Sequence, residues 1–336
     1  MSWTALGDAA RFHMMQQDGA RLRHDLQRLT SELSSGRQAD LGRAVGGDFT
    51  AMADISRSLR LTETFSHSIR DAAIAADARQ TVLARVEAEI DGFGTGILQA
   101  AKAGRLQDMV LAIADAPERL EQAVGALNTR VADVSLFSGN APDRPALISG
   151  AAMLDALRPL VDAAATPADK IAAVEGWFLS AGGGYETTAW QGGTGPAAPA
   201  ILGEGLQTEA AISALDPALR QVLAGLAIAA LATEPPISGD QDEQQALISA
   251  ATTRLRSGEE GLVRLQSHLG VAQARIEEAR VTAEAARAGL QIEQTRMTEA
   301  DPYRTATDLQ AAQTRLETLY VLTARLSRLN LTEYLR

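Results

Sequence analysis

The sequence predicts a mainly α-helical fold: long antiparallel helical rods in a coiled-coil-like bundle, with paired terminal helices and a small central α+β insert. Apolar residues recur at steps of seven along 49–101 and again along 244–298, and no proline interrupts either stretch. Sustained heptads of this kind are typical of helices that pack along one seam. Aromatic residues make up only 4% of the chain although hydrophobic residues make up 46%, so aliphatic and small side chains must build the core.

The N-terminal helix is clearest over 18–35, after a weakly patterned start at 1–17. Gly36 follows as a C′ glycine that ends this helix, because glycine accepts the left-handed conformation required there. Asp48 stands where it can cap the next helix. The leucines that form the apolar stripe of this first helix are Leu22, Leu26, Leu29 and Leu33.

The first rod covers 49–101, and its heptad positions are Ile69, Ala76, Leu83, Ile90 and Ile97. Three closely spaced glycines weaken this helix by up to about 1 kcal/mol each relative to alanine. These glycines are Gly92, Gly94 and Gly96, and we expect Gly104 to break the helix.

Short elements fill the middle of the chain. Helices are predicted over 105–114, 117–136, 167–179 and 217–235, the third of them capped by Thr166. Between 182 and 212 the composition shifts to glycine and β-formers, which predicts a small antiparallel sheet. Its candidate strands are 185–190, 201–202 and 207–212.

The second rod covers 244–298, and Asp301-Pro302 then starts a terminal helix, because aspartate caps and proline fits the first turn. An amphipathic helix at the end of the chain needs an earlier helix or another molecule to cover it. If the rods pair antiparallel, the two ends lie side by side. We therefore expect an assembly interface made of Leu22, Leu26, Leu29, Leu33, Leu309, Leu316, Leu319, Leu322, Leu326 and Leu329.

This pattern predicts three domains. Residues 1–48 and 300–336 form the terminal helix pair, which is the inner assembly domain. Residues 49–149 and 241–299 form the rod domain. Residues 150–240 form a central outward insert with short helices and the small sheet.

Composition and motif content argue against several function classes. The net charge of −11 without a basic block argues against a nucleic-acid partner. The longest apolar run, 222–232, falls far short of a membrane span of ~20 residues. Cysteine is absent, the four histidines are scattered without metal spacing, and no nucleophile stands with a base. We therefore predict no enzyme activity and no catalytic, cofactor-binding or metal-binding residues.

Both ends resemble the flagellin family. At the C-terminal end the similarity lies in Asp301-Pro302-Tyr303 and in the stretch from Leu319 to Leu331, followed by Tyr334-Leu335. Near the N-terminal end it lies in Leu33-Ser34-Ser35-Gly36-Arg37, although 48–55 departs from the Asp- and Ala-rich segment typical of filament members. The segment Leu136–Pro145 resembles one typical of the hook-associated members at the hook–filament junction.

The resemblance implies a structural component of the bacterial flagellum that joins hook to filament and self-assembles, as a helix or ring, through its paired terminal helices. The implied partners are copies of the chain, other hook-associated proteins, flagellin, and the export apparatus or a chaperone. The implied location is extracellular, reached by type III export without a cleaved signal peptide. Two other interpretations stay open: a filament flagellin and a soluble coiled-coil adaptor protein.

Overall fold

The computed structural model describes residues 3–103, 106–208, 211–235 and 237–334. Most of this part of the chain is helical, which confirms the predicted mainly α fold class. No described helix combines the length and the apolarity that a membrane span requires. The helices are α1 (Trp3–Ser35), α2 (Leu41–Ala44), α3 (Thr50–Ala103), α4 (Leu106–Ala112), α5 (Ala116–Leu127), α6 (Gly150–Asp162), α7 (Pro167–Leu179), α8 (Pro217–Leu231), α9 (Gln241–Thr298) and α10 (Pro302–Tyr334). The strands are β1 (Arg130–Val131), β2 (Val134–Ser135), β3 (Ile201–Gly203) and β4 (Leu206–Gln207).

The backbone forms two compact units. The first contains residues 1–62 and 285–336, and the second contains 63–284. The central residues 150–240 thus fall in the same unit as α3 from residue 63 onward and α9 up to residue 284. The three-domain division drawn from the sequence stays a prediction.

In the second unit, α3 and α9 run antiparallel. Gln266 donates a hydrogen bond to Glu87 at 2.8 Å, and Gln273 donates one to Asp77 at 2.7 Å. From one hydrogen bond to the other, the residue number falls on α3 and rises on α9, so the two helices are antiparallel. The heptad residues Leu83, Ile90, Leu269 and Ile276 are buried in one core, as the sequence predicts.

The centre of this core is α8, which is buried from Val222 to Leu231 along all its faces. It packs against α5, α7 and α9. Glycines allow α8 and α9 to approach closely: a Cβ added at Gly225 would lie 2.8 Å from Leu255 Cγ, and one at Gly258 would lie 2.6 Å from Val222 Cγ2. A helix without a polar face needs cover on every side, and these neighbours supply it.

Helix ends agree with the capping residues read from the sequence. Gly36 has φ +67° and its N–H donates to the carbonyl of Glu32 at 2.9 Å. The Thr166 hydroxyl accepts from the N–H of Asp169 at 3.2 Å at the start of α7. The side chain of Asp48 accepts from the N–H of Thr50 at 2.9 Å at the start of α3. The predicted break at Gly104 lies outside the described residues.

The helix predicted over 117–136 is wrong in its second half. α5 ends at Leu127, and β1 and β2 then form a hairpin joined by Ala132 and Asp133. Both of these residues have positive φ, 49° and 64°, as a tight two-residue hairpin turn requires. The sequence pattern also gave no sign of α6, which Ser149 caps by accepting from the N–H of Ala152.

The strand predicted over 185–190 is also wrong. Tyr185–Ala189 is a π-helical turn that buries Tyr185 and Ala189, four positions apart, on one side. The Tyr185 hydroxyl donates to the carbonyl of Ala214 at 2.7 Å, and the ring lies 5.6 Å from that of Phe178. The predicted small antiparallel sheet does form between β3 and β4, although β4 ends at Gln207. Residues 209–210 of its predicted third strand lie outside the described residues.

Candidate assembly surface on the terminal helices

The terminal helices α1 and α10 pack side by side, and a backbone clasp sets their register at one end. The N–H of Gln38 donates to the carbonyl of Thr298 at 2.8 Å, and the N–H of Ala300 donates to the carbonyl of Gly36 at 3.0 Å. The Asp301 carboxylate accepts from the N–H groups of Tyr303 and Arg304 at 2.9 and 3.1 Å, which caps α10. The clasp forces the helices to leave this point antiparallel.

A buried carboxylate supports the same end of α1. Glu32 is only 6% exposed, and it accepts from Arg28 at 3.0 Å and from the N–H of Ala39 at 3.1 Å. Burial acts to lower the pKa of Arg28, but the hydrogen bond and charge of Glu32 outweigh it and the pKa is raised. Glu32 thus links α1 to the loop that follows it, through its contacts with Arg28 and with the backbone of Ala39.

The seam between α1 and α10 is made of a few well-covered residues. Leu29, Thr305 and Ala312 are buried, and a Cβ added at Gly19 would lie 3.2 Å from Leu319 Cδ2. The close approach at Gly19 shows that the helices pack tightly where one side chain is missing. The sequence-predicted residues that the seam covers only partly are Leu22, Leu26, Leu309, Leu316 and Leu319.

Other sequence-predicted residues lie outside the seam. Leu33 is 41% exposed and Leu322 is 47% exposed. The side chains of Leu326 and Leu329 lie outside the described part of the structure. The leucines selected from the sequence therefore divide between a seam within the chain and a surface that the chain itself leaves open.

The open surface of α10 also contains residues that the leucine pattern missed. Tyr303, Tyr320 and Val321 are all more than half exposed. Tyr303 and Val321 lie roughly five helical turns apart and so share one face. The sequence indicates these residues only as apolar side chains that do not follow the spacing of the leucine stripe. They make the apolar surface of the helix wider than one seam requires.

The exposed side chains of this surface can interact with another molecule through apolar packing. No cluster of histidine and acidic side chains that could hold a metal ion occurs among the residues that the structure describes. Exposed apolar side chains gain free energy when another molecule covers them, by about 25 cal/mol per Å² of apolar surface. The arrangement is suited to association with another helical surface.

The segment 136–145 is locked against a glycine turn in the second unit. Asn140 N–H donates to the carbonyl of Gly195 at 3.0 Å, and Trp190 Nε1–H donates to the carbonyl of Gly193 at 3.1 Å. Gly139 has φ +65°, and a Cβ there would lie 2.6 Å from the carbonyl oxygen of Gly195. Phe137 is fully buried. The segment is therefore a fixed part of this unit.

One part of the chain is similar in sequence to a known protein family. Residues 259–335 match the family model of the bacterial flagellin C-terminal helical region. The C-terminal part of the chain is flagellin-like. The matched range includes α9 from residue 259 to its end and the whole of α10.

No curated protein sequence matches the chain. Matching solved structures include FlgL of Bacillus cereus, with 16% identity and a TM-score of 0.49 over 72% of this chain and 100% of that chain. They also include a protein described as flagellar hook-associated from Vibrio parahaemolyticus, with 13% identity and a TM-score of 0.41 over 71% of this chain and 95% of that chain.

Proposed function

We propose that this protein is a structural component of the bacterial flagellum that joins the hook to the filament. The observation that carries the proposal is the match of 259–335 to the flagellin C-terminal helical region, because this range includes the terminal helix whose apolar side chains stay exposed. The junction role is supported by the resemblance of 136–145 to the segment typical of hook-associated members.

In this proposal the exposed apolar faces of α1 and α10 hold the subunits together. Copies of the chain assemble through α1 and α10 as a ring or helix, and the exposed faces of these helices meet neighbouring copies, other hook-associated proteins and flagellin. Of the ten leucines predicted from the sequence, Leu29 lies in the seam within the chain, and the face offered to neighbours includes Leu33 and Leu322. Tyr303, Tyr320 and Val321 belong to the same exposed face. The protein reaches this extracellular position through the flagellar export apparatus, with or without a chaperone, and without a cleaved signal peptide.

A deletion strain tests the proposal. Loss of a junction protein should leave bare hooks in electron micrographs and release unassembled flagellin into the medium, which a blot detects. Hooks that still carry a junction structure but no filament would identify the chain as a filament flagellin. Normal flagella would favour the soluble coiled-coil adaptor.

Complementation of the deletion strain tests the surface itself. Val321→Asp combined with Leu322→Asp places two charges on the exposed face of α10, where their burial against a neighbour costs several kcal/mol. We expect this variant to be exported and folded but to leave the hooks bare. The matched control is Gln310→Asp, which adds a charge at an exposed polar position of the same helix and should restore filaments. Filaments on cells that carry the double variant would show that this face is not the interface.

A further inference from the structure

A pocket opens in the second unit between α3, α9, the β1–β2 hairpin and the residues that flank β3 and β4. Its volume is about 720 Å³. Sites for small organic ligands are concave, mostly apolar and roughly 300–1,000 Å³ in volume. The pocket has this character, because its lining is dominated by alanine and by larger side chains that include Ile74, Val134, Leu136, Leu269 and Ile276.

One cationic side chain interrupts this apolar lining. Arg79 on α3 is partly buried, and its Nε–H donates to the carbonyl of Leu136 at 3.2 Å. No carboxylate within the described residues pairs with Arg79, and burial lowers the pKa of its guanidinium without making it neutral at ordinary pH. The terminal N–H groups of a guanidinium form a fork that fits a carboxylate with two hydrogen bonds.

The charges in the pocket are arranged asymmetrically. The hydrogen bonds of Asp77 and Glu87 with α9 set a register that brings His268 towards the Arg79 end. Asp71 lies two helical turns away at the opposite end. An anionic group is therefore favoured at the Arg79 end only, and the space between the two ends is apolar.

We propose that this pocket binds a medium-chain alkyl carboxylate, with the carboxylate on Arg79 and the chain along Ile74, Ala272 and Ile276. The lining of α3 extends from Ser68 to Arg79, roughly 16 Å at 1.5 Å per residue, which matches an extended alkyl chain of this class. The ligand covers Ile74, which is 49% exposed without it. This site is independent of the proposed flagellar function, which depends on other surfaces.

A small amphiphile fits the pocket better than a protein segment does. The pocket is bounded by α3, α9, the β1–β2 hairpin and the residues that flank β3 and β4, so a chain that passed through it would need an exit past one of them. Its one arginine also calls for one anionic group, and the few other polar side chains of the lining could pair only a small part of a peptide backbone. These side chains are Ser68, Asp71, Thr208 and His268. A peptide would leave most of its own N–H and C=O groups unpaired there.

Titration calorimetry of the full-length protein with decanoate and with decanol tests the proposal. Wild type should bind decanoate more tightly than decanol. Arg79→Gln should weaken decanoate binding by about tenfold or more, because the charge-assisted hydrogen bonds are lost, and should leave decanol binding nearly unchanged. Arg79→Lys should retain part of the preference for decanoate. The matched control is Arg85→Gln, which removes an exposed charge from the same helix and should bind as wild type does.

Blocking the pocket gives a second, independent test. Ala272→Trp fills the space between α3 and α9 and should abolish binding of both ligands. Ala274→Trp places the same side chain at an exposed position of α9 outside the lining and should leave both affinities unchanged. Circular dichroism and thermal melting confirm that each variant is folded.

Three results would overturn the proposal: no decanoate binding by wild type, equal decanoate affinity in Arg79→Gln, or unchanged binding in Ala272→Trp. Failure of wild type to bind decanoate, with loss of a flagellar protein partner in Arg79→Gln, would identify a protein occupant instead. None of these results bears on the deletion phenotype, so the two proposals fail separately.

Discussion

The two units of the molecule bury their apolar residues in different ways. In the second unit, α8 is covered on every side, and the residues from Val222 to Leu231 are at most 2% exposed. In the first unit, α1 and α10 meet along one seam, where Leu29 and Ala312 are buried but Leu33 and Leu322 are more than 40% exposed. Leucine spacing alone does not separate these cases. The two cases differ in how many helices pack around the apolar side chains.

This difference affects how stable each unit is by itself. A core covered from all sides holds its shape without a partner, whereas two helices that share one seam are marginal in water. The first unit would therefore gain stability from a molecule that covered its exposed faces, as the proposed assembly role requires.

The largest expected effect comes from a charge in the core of the second unit. Ile276→Asp buries an unpaired carboxylate at a position that is 4% exposed, and we expect a loss of about 3–5 kcal/mol in the free energy of unfolding. Chemical denaturation followed by circular dichroism measures it. Val281→Asp, at a position that is 53% exposed on the same helix, is the control and should change stability by less than about 1 kcal/mol. Equal effects of the two variants would show that α9 is not packed as described.

A cavity in the seam should have a smaller and more local effect. Leu29→Ala should cost about 2 kcal/mol, the low end for buried leucine, because the seam covers it from one direction only. Hydrogen exchange should show faster exchange along α1 and α10, with α8 unchanged. Leu223→Ala is the matched substitution in the second unit and should cost more. Loss of protection in α8 after Leu29→Ala would mean that the two units unfold together.

Two glycine-to-alanine substitutions test whether a glycine that lowers helix stability is needed for close packing. A Cβ added at Gly94 would have no heavy atom within 4 Å, so Gly94→Ala should stabilise α3 by about 0.5–1 kcal/mol. Gly225→Ala has the opposite expected sign, because its Cβ would meet Leu255 at 2.8 Å and overpacking destabilises. Thermal melting compares the two variants. Destabilisation by Gly94→Ala would indicate an unseen constraint in α3.

The smallest effect concerns acid stability. The N–H of Gly182 and the guanidinium of Arg220 donate to Glu186 at 2.8 and 2.7 Å, and both hydrogen bonds lower its pKa below the ordinary value of 4.5. A lowered folded-state pKa means that this carboxylate stabilises the protein above pH 4.5 and that the contribution is lost as the pH falls through the folded-state pKa.

Glu186→Gln should therefore reduce stability near neutral pH and flatten the loss of stability below pH 4.5. Melting temperatures over this pH range measure both effects. Glu259→Gln, at an exposed position of α9, is the control. If Glu186→Gln loses stability below pH 4.5 as steeply as wild type does, the ion pair with Arg220 does not contribute to acid sensitivity.

Local signals in the sequence were sufficient for the long helices and for several of their ends. The heptads predicted α3 and α9, Gly36 ended α1, and Asp301-Pro302 started α10, because periodicity and capping depend on neighbours within a few residues. The sequence also placed the leucine stripes on both terminal helices. It thus determined the mainly α class, whereas the terminal interface stays a prediction.

Only the tertiary structure decided how each stripe is covered and which short segments leave the helical state. The hairpin after α5 depends on the positive φ of Ala132 and Asp133, and the turn at Tyr185 depends on a hydrogen bond to the distant Ala214. The hairpin turn lacks the glycine or asparagine that usually marks positive φ in a sequence. The turn at Tyr185 is stabilised by a partner that lies far away along the chain, so no local window contains the information. The same reason explains why Leu29 is buried and Leu322 exposed: burial is a property of the neighbours in space, and the sequence shows only the neighbours along the chain.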